Sequence, residues 1–344
     1  MRKRRATSQD VAKRAGVSRS TVSAILNHTP GIGYSEETRK SVLQAIQELN
    51  YKVNVQAKSM RTGLSRCIAV YGNVTNPLFL QSLDGIQEVC SNNDYHLLLY
   101  GAKRDPAYRF SMIDVFLQHR IDGIISVDYT TFQDFSWFKT ISTEEVPYVS
   151  IEGYPTNSDV SSVLMDYAHS VTIALEYMSQ RSPVLPLYLE LYDTADGHSY
   201  ENWAETNRRN AYCRWMKSHG SEPRVLSIED QPWAAGSHFW ISWLSQQQLP
   251  MTVLSNWSRG AAYLYRAAYS LGLRIGRDLQ VMACDNTERI NAHMIPTLSA
   301  VEVPYKDMGI LATKRLIEYI SHRRPTTDTS SQWLSARLVP GESI

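Results

Sequence analysis

The sequence predicts an α plus α/β protein, with an N-terminal three-helix unit containing a helix-turn-helix before a larger, two-lobed, doubly wound α/β unit. At 344 residues the chain is too long for one ordinary domain. Apolar residues recur at helical spacing over the first fifty residues, whereas short apolar strands alternate with helices after Cys67. Charge divides the chain at the same place, because residues 1–66 hold 13 Lys/Arg against 4 Asp/Glu, a balance of +9, and the remainder has a balance of −8.

A basic head on an acidic body is typical of a protein whose polyanionic partner binds at one end. Charge alone leaves open a solvated basic face without a partner. The four cysteines, at positions 67, 90, 213 and 284, are scattered, which argues against a metal site or a disulfide framework and favours a reduced, cytoplasmic protein. No apolar stretch follows the basic N-terminus or approaches the roughly 18 residues of a membrane span, so we expect no export signal and no membrane partner.

The first two helices are predicted on either side of a glycine. Residues 7–15 begin with hydroxyl side chains, carry Asp10 in the first turn, and end at Gly16. Ser18 can cap a second helix, residues 19–27, with apolar residues at positions i, i+3 and i+4 and short polar groups plus one arginine elsewhere. Two short helices about a tight turn form a helix-turn-helix, and the polar face suits DNA base edges.

A third helix, beginning at Ser35, closes the core of a headpiece that we place at residues 1–52. Residues 53–65 follow as a hinge helix and linker, and residues 66–344 form the larger domain. Two basic side chains and the prominent apolar Met60 make the hinge segment a candidate wedge in the DNA minor groove. A plain linker helix is the alternative interpretation.

An ordered series of motifs spans these sixty residues. They are Gln9–Ser18, Thr21–Ser23, Leu26–Asn27, Ser35 with Thr38–Arg39, Leu49–Tyr51 and Ala57–Arg61. The series resembles the headpiece signature of the LacI/GalR family of bacterial repressors. The resemblance implies that the second helix enters the major groove of a palindromic operator and that Met60 inserts at its centre.

The resemblance also assigns DNA-binding positions. Those expected to choose bases are Arg19, Ser20 and Ala24. Those expected to support docking or contact phosphate are Ser18, Thr21, Ser23, Asn27, Ser35, Thr38, Tyr51, Asn54 and Lys58. Two residues depart from the family pattern, since Ala24 replaces a common arginine or histidine and Val53 a common proline.

Beyond the headpiece, the sequence predicts strands that alternate with helices, including helices over residues 79–92 and through Met112. The predicted strands are residues 67–71, 96–100, 121–127, 147–151, 160–165, 186–191, 224–228, 250–255 and 279–284. Because the pattern restarts at residue 186, we expect two similar lobes around a cleft. Ligands of open α/β sheets bind beyond the carboxyl ends of the strands. The strand-end candidates are Asn76, Asp128, Asp166, Asn256 and Asp285.

The larger region resembles the same family, whose lobes are similar to periplasmic sugar-binding proteins. The matching motifs are Asn76–Phe79 with Asp84–Ile86, Ile121–Ile125, Arg208 with Ala211–Tyr212, Ser255–Asn256 and Asp285. The resemblance implies a homodimer and a small-molecule, sugar-like effector in the interlobe cleft. The predicted effector-binding residues are Asn76, Phe79, Asp166, Arg208, Asn256, Trp257 and Asp285. Arginine, asparagine and aspartate suit vicinal hydroxyls, and aromatic rings suit a sugar face.

Purely structural roles are the alternative to ligand binding. Core packing is the alternative role for Trp203, Trp233 and Trp257, and a surface or interlobe salt bridge is the alternative for Arg208 and Asp285. Departures from the family pattern also occur here, with Trp257 in place of an aspartate, Cys284 in place of an aromatic and Ser182-Pro183 in place of Gly-His.

Other function classes lack their motifs. The sequence has no G-x-S-x-G, no phosphate-binding P-loop and no histidine cluster at metal spacing, so we expect no enzyme, no metal and no cofactor. A periplasmic binding protein would need an export signal. We therefore predict a ligand-responsive, sequence-specific transcription regulator, most simply a repressor, that binds double-stranded DNA as a dimer. Whether the effector releases or tightens DNA stays open.

Overall fold

A computed structural model describes nine stretches of the chain: residues 6–27, 33–52, 63–101, 106–130, 132–156, 159–192, 203–231, 233–322 and 331–344. The chain forms two compact units, Met1–Ser65 and Arg66–Ile344. The segment predicted as a hinge helix lies almost wholly outside the described residues.

The described part of the smaller unit contains three helices: α1 (Ser8–Ala15), α2 (Arg19–Asn27) and α3 (Glu36–Glu48). Thr7 and Asp10 cap α1 reciprocally, because Thr7 Oγ1 accepts from the Asp10 amide at 3.3 Å and Asp10 Oδ2 accepts from the Thr7 amide at 2.8 Å. Gly16 ends α1 with a φ of 69°, a left-handed conformation that favours glycine. The predicted helix-turn-helix is confirmed.

One hydrophobic cluster holds these helices together. Its buried members are Val11, Ala12, Val22, Ile25, Val42 and Ala45. They fall at helical spacing on the inner face of each helix, so the core follows directly from the sequence pattern. The outer faces are mostly polar, although Leu43 of α3 is 45% exposed.

The larger unit contains two six-stranded sheets, one in each lobe. The first sheet has the order β11-β5-β4-β3-β1-β2 and is parallel throughout. Its strands are β1 (Cys67–Gly72), β2 (His96–Gly101), β3 (Gly123–Val127), β4 (Tyr148–Ile151), β5 (Ser162–Met165) and β11 (Gln332–Leu334). Its helices are α4 (Pro77–Asn92), α5 (Pro106–Leu117), α6 (Phe135–Thr143) and α11 (Tyr305–His322).

The second sheet has the order β12-β10-β9-β8-β6-β7, with only β12 antiparallel to its neighbour. Its strands are β6 (Leu187–Tyr192), β7 (Val225–Glu229), β8 (Met251–Ser255), β9 (Leu279–Ala283), β10 (Ser299–Glu302) and β12 (Arg337–Val339). Its helices are α7 (Tyr167–Ser179), α8 (Trp203–Ser218), α9 (Trp233–Ser245) and α10 (Ser258–Ser270). The predicted doubly wound, two-lobed fold is confirmed.

The chain passes between the two sheets three times in its described part. It leaves the first sheet between β5 and α7, returns between β10 and α11, and leaves again between β11 and β12. Residues at these crossings lie at the carboxyl ends of β5 and β10, where a ligand would meet both lobes. Among the described helices, none is long and apolar enough to cross a membrane.

Candidate functional site

The N-terminus of α2 carries a cluster of hydroxyl groups. Ser18 Oγ accepts from the Thr21 amide at 3.1 Å and lies 2.6 Å from Ser20 Oγ and 2.9 Å from Thr21 Oγ1. Arg19 is exposed beside them, as are Ser18 and Ser20. A helix N-terminus presents amide groups and the positive end of the helix dipole. Hydroxyls and one arginine at such a terminus can donate to phosphate oxygens and to base edges.

A second hydroxyl pair caps α3. Ser35 Oγ accepts from the Thr38 amide at 3.1 Å and lies 2.9 Å from Thr38 Oγ1. Two nearby cations are already paired, Arg14 with Glu48 at 2.6 Å and Arg39 with Glu36 at 3.3 Å. The cap gives the smaller unit a second place where backbone amides and hydroxyls suit an anion.

The remaining predicted DNA-binding residues differ in exposure. Thr21, Ser23 and Thr38 are half-buried, and Tyr51 packs against the hydrophobic cluster. Ala24 is only 2% exposed, so its methyl group is covered in the structure. The side chains of Asn27, Asn54, Lys58 and Met60 lie outside the described residues.

In the larger unit, a buried acid lies beside the first crossing between the lobes. Glu152 follows β4 and is 2% exposed, with a φ of 73°. Tyr167, the first residue of α7, donates its hydroxyl to Glu152 Oε1 at 2.7 Å, and Oε2 has no partner among the described residues. Burial raises the pKa of Glu152 to about 7, although the Tyr167 hydrogen bond and the Arg208 charge lower it.

Arg208, on α8, lies in the same region. It is buried, and its guanidinium group stands 4.6 Å above the Tyr167 ring. Nη1 donates to Glu205 Oε1 at 2.6 Å and Nη2 to the Cys284 carbonyl at 3.4 Å, whereas Nε has no partner among the described residues. Burial is the largest single effect and lowers the pKa of Arg208, but the charges of Glu205, Tyr167, Cys284 and Tyr188 together raise it well above the ordinary value.

Glu205 is the centre of this network, and sequence analysis did not find it. Its Oε1 also accepts from Trp257 Nε1 at 3.0 Å, and its Oε2 accepts from Asn256 Nδ2 at 2.9 Å. The sequence signal available was the i,i+3 spacing of Glu205 and Arg208 on one helix. That spacing predicts an ion pair but not the two further donors.

Two predicted effector residues make structural bonds. Asn256 bonds the backbone of Leu191, accepting from its amide at 2.9 Å and donating to its carbonyl at 2.8 Å. Asp285 Oδ1 accepts from the Ser258 amide at 2.6 Å and so caps α10. Both amide hydrogens of Asn256 are therefore in use, which leaves it only acceptor capacity for a ligand.

Three further predicted residues also have local roles. Asn76 caps α4 by accepting from the Leu78 amide at 3.1 Å, and the exposed Asp166 caps α7 by accepting from the His169 amide at 2.8 Å. Phe79 is 1% exposed and packs directly over Gly72, where a β-carbon would collide with its ring. Phe79 is thus a core residue in this structure.

Asp128 belongs to a separate ion pair in the first lobe. It accepts from Arg109 at 2.7 Å, Ser126 at 2.5 Å and Ser150 at 2.9 Å. The Arg109 guanidinium lies among aromatic rings, 4.0 Å from the Phe132 centroid. This strand-end aspartate is engaged within its own lobe.

The predicted tryptophans do not meet. Trp203 lies edge-to-face with Tyr167 and tilted against Trp333, with ring centroids 6.1 and 5.6 Å away. Trp257 bonds Glu205, whereas Trp233 lies under Arg266, 4.5 Å from its guanidinium. Trp203 and Trp257 therefore flank the Arg208 network, and Trp233 belongs to another surface.

That other surface is apolar and exposed. Tyr269 and Ile295 are 88% and 92% exposed, and they line one depression with Trp233, Tyr265, Arg266 and Ser270. Large apolar side chains this exposed are typical of a surface that another protein covers.

A further pair of hydrogen bonds joins the lobes. Gln81, on α4, donates to the Thr287 carbonyl at 2.9 Å and accepts from Arg289 at 3.2 Å. Because Thr287 and Arg289 follow β9, these bonds connect the first lobe to the second.

Comparisons with known proteins cover both units. A family model of bacterial regulatory proteins, lacI family, matches residues 7–54, and a model of a periplasmic binding protein-like domain matches residues 192–344. The HTH-type transcriptional repressor PurR of Proteus mirabilis is 26% identical over 347 residues, covering 98% of this chain and 97% of that protein.

Solved structures share the fold. The lac repressor dimer bound to operator and the anti-inducer ONPF is similar with a TM-score of 0.78 and 19% identity, covering 99% of each chain. A complex of the transcriptional regulator CelR with cellobiose has a TM-score of 0.64 and 20% identity, covering 98% of this chain and 100% of that one.

Proposed function

This chain belongs to the LacI family of bacterial regulatory proteins and is a DNA-binding, ligand-responsive transcription regulator, and we propose that it acts as a dimeric repressor of a palindromic operator. One observation carries the DNA-binding part. The exposed N-terminus of α2 presents Arg19 beside the hydroxyl cluster of Ser18, Ser20 and Thr21 on a folded helix-turn-helix. In this motif the N-terminal residues of the second helix contact base edges.

Dimerisation is supported by the second lobe. Its depression around Tyr269 and Ile295 is too apolar and too exposed to be ordinary surface. The similar lac repressor structure is a dimer bound to operator. A two-fold dimer would present two headpieces to two half-sites, which is why we propose a palindromic operator.

A small molecule is proposed to bind between the lobes, beside Arg208 and Glu152. Trp203 and Tyr167 supply aromatic faces there, and the buried polar atoms supply donors and acceptors. The similar CelR structure holds cellobiose. We therefore propose a sugar or sugar derivative as the effector.

Coupling between ligand and DNA would run through lobe closure. Gln81 joins the lobes by two hydrogen bonds. A ligand that changes the angle between the lobes would change the geometry of these bonds. We propose that Met60 inserts at the operator centre and that Asn54 and Lys58 support docking or contact phosphate. A ligand that binds one arrangement of the lobes more tightly than the other would then change the affinity for DNA. The size of that change is limited by the difference between the ligand's affinities for the two arrangements.

Selection from a random pool of DNA duplexes at near-physiological salt tests the proposal. Selection with the full wild-type chain should enrich a palindromic sequence. Selection with Arg19→Ala should not enrich the half-sites of that palindrome. Lys217→Ala, which removes an exposed cation from α8 in the other unit, serves as the matched control and should recover the same palindrome. Tight binding without sequence preference would refute it.

A further inference from the structure

The Arg208 network determines which charge a bound effector can carry. Glu205 uses both carboxylate oxygens, accepting from Arg208, Trp257 and Asn256 at 2.6 to 3.0 Å. Glu205 and Arg208 are 8% and 4% exposed. The arginine that the family resemblance offers to a ligand is therefore neutralised by the chain itself.

The charges that remain around this pair are acidic. Asp285 follows Cys284, whose carbonyl accepts from Arg208 Nη2 at 3.4 Å. Glu152 faces the network from the other lobe across Tyr167, which contacts both Glu152 and Arg208. The charges of Arg208 and Glu205 cancel each other. The described residues of the network then present carboxyl groups and no second cation.

Unpartnered buried atoms indicate where a ligand would bond. Glu152 Oε2, Arg208 Nε and the Tyr188 hydroxyl have no hydrogen-bond partner among the described residues, and each side chain is at least nine-tenths buried. Buried polar groups without partners are costly, so they point to a group that arrives later. A ligand with hydroxyl and amine groups can donate to Glu152 Oε2, accept from Arg208 Nε and bond the Tyr188 hydroxyl.

We propose that Glu205 makes this site selective for uncharged or cationic ligands rich in hydrogen-bond donors, and that the site rejects phosphorylated and other anionic ligands. The inference rests on the proposed effector site between the lobes. A bound anion would place a second negative charge beside the buried Glu205 carboxylate and compete with it for the Arg208 charge. A neutral polyol or an aminosugar bonds the free atoms and leaves the ion pair intact.

Titration of the full chain with inorganic phosphate by calorimetry, at constant ionic strength, tests the charge selection. The wild-type chain should bind no phosphate at millimolar concentration. Glu205→Gln keeps the shape of the side chain but frees the Arg208 charge, and should bind phosphate at least about ten-fold more tightly, the value of one charge-assisted hydrogen bond. Adding Arg208→Gln to that variant should abolish the gain.

Glu176→Gln is the matched control, because Glu176 is an exposed glutamate of α7, and it should behave as wild type. The proposal is overturned if Glu205→Gln gains no phosphate binding while its tryptophan emission shows a folded protein. It is also overturned if wild-type protein binds phosphate and Arg208→Gln abolishes that binding, a result that decides the matter even if Glu205→Gln does not fold. Operator binding by the same proteins without phosphate tests the regulator function separately.

Discussion

Replacing Glu152 by glutamine measures how much the ionisation of a buried carboxyl group between the lobes lowers the free energy of unfolding. Glu152 is 2% exposed, and its described hydrogen bond is the one from the Tyr167 hydroxyl at 2.7 Å. Burial raises its pKa from 4.5 to about 7, against the lowering effects of that bond and of Arg208. Between these two pH values the folded chain keeps a proton that the unfolded chain has released.

The sign of the effect follows from that proton. Because the folded state binds it more tightly, the free energy of unfolding falls as the pH rises from 4.5 to 7 and then levels off. Each pH unit between the two pKa values corresponds to about 1.4 kcal/mol. Ionised Glu152 should therefore cost the fold about 3 kcal/mol at pH 8, but less than about 1 kcal/mol at pH 5.

Glutamine has nearly the same shape and carries no charge at either pH. Glu152→Gln should thus increase the free energy of unfolding relative to wild type by about 2 kcal/mol more at pH 8 than at pH 5. Urea unfolding followed by tryptophan emission measures this in the full chain, because all 8 tryptophans lie in the larger unit. Glu145→Gln, at an exposed glutamate that also has a positive φ, should show no such pH dependence. An equal effect of Glu152→Gln at both pH values would refute the reasoning.

Four further substitutions probe other features. Arg109→Met should lower the free energy of unfolding by about 3–5 kcal/mol, because it leaves Asp128 buried and unpaired; a loss below 1 kcal/mol in urea unfolding would contradict this. Gly309→Val should destabilise the first lobe, since a β-carbon there would collide with a carbonyl of α4, and an unchanged melting temperature would argue against that close crossing. Ile295→Asp should convert the proposed dimer to monomer in sedimentation velocity, and an unaltered dimer would exclude the apolar depression as the interface. Arg19→Ala should reduce discrimination between operator and single-base variants by about 1–3 kcal/mol at one position, whereas a uniform loss on all DNA would assign Arg19 to phosphate contact.

The sequence predicted most of the local structure because its signals are local. Capping by Thr7 and Ser35, the glycine turn at Gly16 and the apolar spacing of α1 to α3 each depend on neighbours within four residues. The buried strands were found for the same reason, since β3 and β8 are mostly apolar and are buried at every position. Predicted and observed strand ends differ by one or two residues.

The network around Arg208 could not be predicted in the same way. Glu205 bonds Asn256 and Trp257, which lie about fifty positions later and arrive through the pairing of β6 with β8. Glu152 reaches Tyr167 only because the chain changes lobes between them. The strand pattern identified Asn256 and Asp285, and the family resemblance identified Arg208, but the partners that occupy their hydrogen-bonding groups are set by tertiary contacts.

The short β10, β11 and β12 were also missed. β11 and β12 have three residues each, of which β11 exposes two and β12 one, and neither strand is long enough to show an apolar run or a clear alternation. They nevertheless form edge strands of the two sheets and carry one of the three crossings.

The affinity of the full chain for its selected palindrome, compared with a duplex in which one half-site is scrambled, tests the central claim most directly. A dimeric, sequence-specific regulator predicts two chains on each palindrome and a loss of about 100-fold or more on scrambling, measured by fluorescence anisotropy at near-physiological salt. Equal affinity for the two duplexes, with one chain bound to each, would contradict it.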